Sequence, residues 1–151
     1  MELKEIRNRR MALIKEMPKN AVAILSSANR NYRSRDVENP YRQDSDFLYM
    51  TGISEPNLIN IIYKEDNKVF SVLFRNNTSD HEKIWDGSRL DNREILETYG
   101  FTDIQSYDGY ADKILNYILN KDSLYIESGL NAELDERISK LMSESAKNNR
   151  K

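Results

Sequence analysis

The chain has 151 residues, 38% hydrophobic and 32% charged, with a formal net charge of -2; that is the size of one domain with a real core, and a balance that gives no bulk attraction to nucleic acid or an anionic membrane. There are no cysteines, which excludes disulfides, zinc–thiolate sites and thiol nucleophiles. No apolar stretch approaches the roughly 18 residues a membrane span needs, and the N-terminus lacks the unbroken apolar core of a signal peptide, so a cytoplasmic location is the expectation.

Leu3, Ile6, Arg10, Leu13, Ile14 and Met17 fall near helical spacing and predict an amphipathic helix over 3–17, stopped by Pro18 and Asn20. AVAILSS, 21–27, is a short apolar run bounded by turn formers and reads as a buried strand. Residues 28–46 carry few aliphatics and many Arg, Asn and Asp, the composition of a long loop. FLYMTG, 47–52, is rich in aromatics and reads as a strand, closed by a turn at Gly52 and Glu55-Pro56. LINIIY (58–63) and VFSVLF (69–74), joined by the polar KEDNK, predict a two-stranded hairpin. After the polar stretch RNNTSDHEK and Ile84-Trp85, NREILETYG (92–100) has a helical pattern with Gly100 as its stop. YDGYADKILNYILNK reads as one amphipathic helix, SLYIES as a strand and NAELDERISKLMSES as a last helix, with 143–151 a polar, basic tail expected to fray. The order of elements predicts a single α/β domain, a mixed β-sheet flanked by helices.

The chemistry-bearing residues are most informative by what they lack. The one histidine, His81, sits between Asp80 and Glu82, and three adjacent residues do not converge on an ion as an i, i+4 helical pair does. A serine triad would need that same histidine, and the five glycines do not cluster into a phosphate-binding loop. Asp36, Glu38, Asp44 and Asp46 crowd the long loop. Two readings of them stay open: an acid/base pair or hard-cation site, and solvated acids paired with Arg33, Arg35 and Arg42. The same arginines with Tyr32 and Tyr41 suit a nucleic-acid surface, against which the interspersed acids argue. On these residues alone the chain is not equipped for hydrolysis.

One stretch is far more specific. NPYRQDSDFLYMTG, 39–52, followed by Ile53, Glu55 and Pro56, closely resembles the N-terminal domain of Xaa-Pro aminopeptidases (aminopeptidase P). Arg9-Arg10-x-Ala12-Leu13 resembles that family's opening helix, Arg33-Ser34-x-Asp36 precedes the run at the family's distance, and Ile84-Trp85-x-Gly87-x-Arg89-Leu90 resembles its Trp-x-Gly-x-Arg segment. The resemblance implies a creatinase- and prolidase-type N-terminal domain, ribonuclease H-like, over 1–142, with 143–151 leading toward a C-terminal catalytic domain. In the family that second domain holds two divalent metals, usually manganese, through two aspartates, a histidine and two glutamates. It releases the first residue of peptides whose second residue is proline. None of those ligands is expected in this chain, which is therefore expected to be inactive alone and to be one part of a longer enzyme.

The resemblance also implies that the N-terminal domain builds the homo-oligomer interface and helps close the active site over the peptide. It assigns Asp36, Tyr41, Arg42, Trp85 and Arg89 to that substrate-pocket and interface role, with no catalytic or metal-binding residue in the chain. The physical chemistry agrees: an indole face suits a proline ring, an aspartate suits a peptide's ammonium, and an arginine fork suits a carboxylate or carbonyl. Trp85 as partly exposed core, Arg42 bonded within its loop and Asp36 as a loop-ordering acceptor are the alternatives. Ser88 departs from relatives that carry a second arginine beside Arg89. A different reading makes the chain the N-terminal module of a prolidase- or creatinase-like protein, acting only in assembly or binding.

Overall fold

The computed structural model describes residues 3–28, 44–65, 68–76, 91–119, 121–126 and 129–148. The chain opens with α1 (Leu3–Glu16), which buries Ile6, Arg10 and Ile14 along one stripe. β1 (Ala21–Ser26) follows, then α2 (Ser45–Thr51), the hairpin β2 (Ile59–Glu65) and β3 (Lys68–Phe74), and α3 (Asn92–Glu97). A short strand β4 (Asp103–Gln105), two helical turns α4 (Tyr110–Lys113) and α5 (Leu115–Ile118), β5 (Ser123–Ile126) and α6 (Ala132–Asn148) complete it. No helix among the described residues is long and apolar enough to cross a membrane.

Among the described residues five strands form one sheet in the order β4-β3-β2-β1-β5. β2 runs antiparallel to both β1 and β3, whereas β5 is parallel to β1 and β4 parallel to β3. The pleat separates two apolar sets. Val22, Ile24, Ile59, Ile61, Val72 and Phe74 face one layer, where Tyr110, Ile114, Ile118, Leu134 and Ile138 cover them. Ala21, Ala23 and Ile62 face the other, beneath Ile14 and Met17, and beside them Leu58 and Leu73 pack with Phe47, Ile95 and Phe101. Each fully buried large side chain contributes about 1.5–3 kcal/mol relative to exposure, and such residues fill both faces. The expected mixed sheet flanked by helices is the observed architecture.

The largest departure from expectation is FLYMTG, which is a helix and not a strand. Asp44 caps it, accepting the Phe47 N–H at 3.0 Å. Thr51 donates its hydroxyl to the Phe47 carbonyl at 2.8 Å, and Gly52, with φ 73°, ends the helix in the left-handed conformation. Buried Phe47 and Thr51 lie four residues apart, a helical spacing. Local capping outweighs the strand preference of the aromatics. Replacing Asp44 by alanine is therefore expected to cost about 1 kcal/mol in urea denaturation, the usual worth of an N-cap, with an unchanged denaturant slope.

Other differences are smaller. The expected helix 107–121 is two short turns, with Ile114 bridging them. β4 has no counterpart in the sequence reading, α3 stops at Glu97 ahead of Gly100, and α6 continues to Asn148, past the expected end of its pattern. Glu144, Ala146 and Lys147 are good helix formers, which accounts for that extension.

Candidate functional site

Since β1 and β3 are both antiparallel to β2, they point the same way and end at the same edge of the molecule. Ser26, Ile59 and Phe74 share one row of the sheet, so the C-terminal ends of β1 and β3 stand two strand spacings apart, about 10 Å. In open α/β sheets the carboxyl ends of strands are where ligand-binding segments are carried. Asp36, Tyr41 and Arg42 lie between β1 and α2, Trp85 and Arg89 between β3 and α3. All five fall outside the described residues, as does His81. The strands that lead into both segments end side by side on the same side of the sheet.

Two polar clusters fix those ends. Past β1, the Ser27 N–H donates to the Leu58 carbonyl at 3.0 Å, and the Leu58 N–H donates to Ser27 Oγ at 2.9 Å. Past β3, Arg75 is 4% exposed. Its fork grips the Glu55 carboxylate, with Nη2 to Oε2 at 2.9 Å and to Oε1 at 3.0 Å. Its Nη1 donates to Asn92 Oδ1 at 2.7 Å, reaching the first residue of α3, and its backbone N–H donates to the Gln105 carbonyl at 2.8 Å. Arg75 therefore joins the departure of the 77–90 segment, its return at α3, and the Glu55-Pro56 turn. Asp91 caps α3 by accepting the Arg93 N–H at 2.9 Å. Nearby, burial raises the pKa of the Tyr99 hydroxyl, with Glu94 and Glu55 adding to it.

Sequence reasoning passed over this Glu55–Arg75–Asn92 cluster. It treated Glu55 as part of a turn and Arg75 as the start of a polar stretch. The readable signal was a cation directly abutting a buried apolar strand, which requires a partner.

Among the described residues no three of His, Asp or Glu converge as a metal ion requires, so the donor set described here does not fit a divalent cation. A groove of about 460 Å³ lies at the other end of β3, lined by Lys4, Arg7, Arg10, Met11 and Ser71, away from both segment ends.

The sequence and the fold resemble those of known proteins. The model of the family described as aminopeptidase P, N-terminal domain, matches residues 6–125. The Xaa-Pro aminopeptidase of Escherichia coli (strain K12) is 32% identical over 132 residues, which cover 87% of this chain and 30% of that protein. The solved aminopeptidase P from E. coli with the inhibitor Pro-Leu superposes with a TM-score of 0.83 at 30% identity, over 94% of this chain and 33% of that one. A zinc-substituted E. coli aminopeptidase P in complex with product superposes equally well, at 0.83 and 29% identity, over 98% of this chain and 35% of that one. The chain thus spans about a third of the length of the relatives it matches. With the opening helix, the five-stranded sheet and most of the chain accounted for by one family pattern, the chain belongs to the aminopeptidase P N-terminal domain family.

Proposed function

We propose that the chain acts as the non-catalytic N-terminal domain of a metal-dependent Xaa-Pro aminopeptidase, narrowing the active-site cleft around short peptides with proline second and contributing to the homo-oligomer interface. The two divalent metals, manganese by the family pattern, belong to a C-terminal domain beyond residue 151. They supply the hydrolytic chemistry there. In this chain Trp85 offers an apolar wall for a proline ring. Asp36 offers a carboxylate for a peptide ammonium or an arginine across the interface, and Arg42 a forked donor for a carboxylate or carbonyl. Tyr41 and Arg89 complete the set. The observation that carries the reading is the sheet topology: the segments bearing all five residues leave the sheet at one end, about 10 Å apart.

The test compares the 151-residue chain with the longer protein this reading requires, using an Xaa-Pro tripeptide with manganese added. No release is expected from the chain alone and turnover from the longer protein. Trp85→Ala in the longer protein is expected to raise KM at least about threefold, the loss of one apolar contact of 1 kcal/mol or so. Cleavage by the rigorously purified chain would overturn the division of labour.

A further inference from the structure

α1 lies across the C-terminal ends of two other helices. Ile6 packs directly on Gly52, the stop of α2, and Arg7 on Gly100, just past α3. Both glycines have positive φ, 73° and 77°, and at both a Cβ would collide with the α1 side chain. Arg9 donates to the Tyr49 carbonyl at 3.1 Å and lies 4.0 Å over the Tyr49 ring. The next residue, Arg10, is 3% exposed. One arm of its fork donates to the Met50 carbonyl at 2.9 Å. The other donates to the Tyr99 carbonyl in the turn that ends α3, and the guanidinium stacks 4.2 Å over the Phe101 ring. A helix C-terminus carries partial negative charge on carbonyls lacking helical partners. A single buried cation therefore meets the carbonyl end of α2 and the turn that follows α3 at once.

These two helices are the ones that bring the chain back from the candidate segments. α2 starts at the cap Asp44, directly after residues 29–43, and α3 at the cap Asp91, directly after 77–90. They share one apolar cluster, with Phe47 from α2 and Ile95 from α3. We infer that Arg10 is a positioning residue for the peptide cleft: by bonding the ends of α2 and α3 through one rigid fork, it holds both helices, and so both return points, in a single register. This rests on the function proposed above. The planar guanidinium is required because its two arms diverge toward separate acceptors, whereas a lysine ammonium is one point on a flexible stem. Burial and the neighbouring Arg7 lower the Arg10 pKa to about 10, so it remains a cation at neutral pH.

The test uses the longer protein and three variants, Arg10→Lys, Ile6→Val and Trp85→Ala, read by steady-state kinetics and by amide hydrogen exchange. Arg10→Lys is expected to raise KM for an Xaa-Pro tripeptide about threefold to tenfold with kcat within about twofold, the range of coupling carried by a residue that touches no ligand. The Gly52, Thr98 and Tyr99 amides, at the ends of α2 and α3, should exchange faster together, while those of β1, β2 and β3 hold. Ile6→Val should loosen the Gly52 end alone, which keeps the exchange comparison decisive if the lysine variant folds poorly. Should Trp85→Ala leave both kinetic constants unchanged, the cleft reading itself fails. Should Trp85→Ala act while Arg10→Lys changes neither KM nor the paired exchange of α2 and α3, or lowers only the melting temperature, this inference fails by itself.

Discussion

Arg75→Ala is expected to destabilise the domain by about 3–5 kcal/mol, the usual cost of breaking a buried ion pair by removing one partner. The side chains of Arg75 and Glu55 are 3% and 15% exposed, so solvent screening discounts the interaction little, unlike the exposed Arg93–Glu97 pair at 82% and 69%. The loss has two parts. The fork to Glu55 disappears, leaving a largely buried carboxylate without it. Asn92 at the start of α3 loses its 2.7 Å bond. A substantial fraction of a typical domain's stability, about 5–15 kcal/mol, would be gone. Urea denaturation followed by circular dichroism measures it as a lower midpoint at constant slope. Pairing Arg75→Met with Glu55→Leu should recover much of the loss, because neither charge is then left behind, and the double-mutant cycle gives the coupling directly. A loss below about 1 kcal/mol for Arg75→Ala would mean that the pair behaves as a surface contact and does not hold the sheet end together.

That cluster also marks how far the sequence can be read. α1, β1, the β2–β3 hairpin, β5 and the core of α6 are legible because each has a regular apolar period and is bounded by turn formers or caps, and both signals are local. FLYMT misleads because Phe47, Tyr49 and Thr51 match a strand in composition and alternation. Asp44 three residues before Phe47 and Gly52 just after Thr51 were the better signals. β4 was invisible because three residues carry no period. Asp103–Gln105 is a strand only through its parallel register with Val72–Phe74, a pairing across some thirty residues. Ile114 carries the same apolar stripe whether or not the helix breaks there, so a periodicity argument does not see the break. Family resemblance named the residues for the candidate site. What the sequence did not reveal is the scaffold that brings their segments together, since Glu55, Arg75 and Asn92 meet across 17 and 20 residues. Arg10 was the readable exception, a cation on the apolar stripe of α1.

The chain is also expected to unfold cooperatively in alkali, beginning above about pH 10, where an exposed tyrosine titrates. The pKa values of Tyr63, Tyr99, Tyr107, Tyr110 and Tyr117 are all raised, in each case chiefly by burial, which penalises the phenolate. Tyr110 is the most strongly affected. It is 3% exposed, its ring centre lies 4.6 Å from that of Tyr107 with the planes tilted by 36°, and it donates to Asn131 Oδ1 at 3.2 Å. Above the unfolded pKa the folded state retains protons that the unfolded chain releases, so stability is fully present below pH 10 and falls as pH climbs toward the raised folded values. Arg10 works in the opposite direction: its folded pKa of about 10 lies below the ordinary arginine range, so unfolding there takes up a proton. Among the described residues one arginine opposes five tyrosines, and the expected net slope is downward. Absorbance at 295 nm and far-ultraviolet circular dichroism should therefore change together in an alkaline titration. Tyr110→Phe gives a crossing signature. At neutral pH it should cost about 1 kcal/mol through the lost bond to Asn131, which also accepts the Leu134 N–H at the start of α6. Above pH 10 the variant should lose stability less steeply than the parent, since one suppressed ionisation is gone. Tyrosines that titrate near pH 10 with no change in circular dichroism would contradict the burial of this aromatic layer.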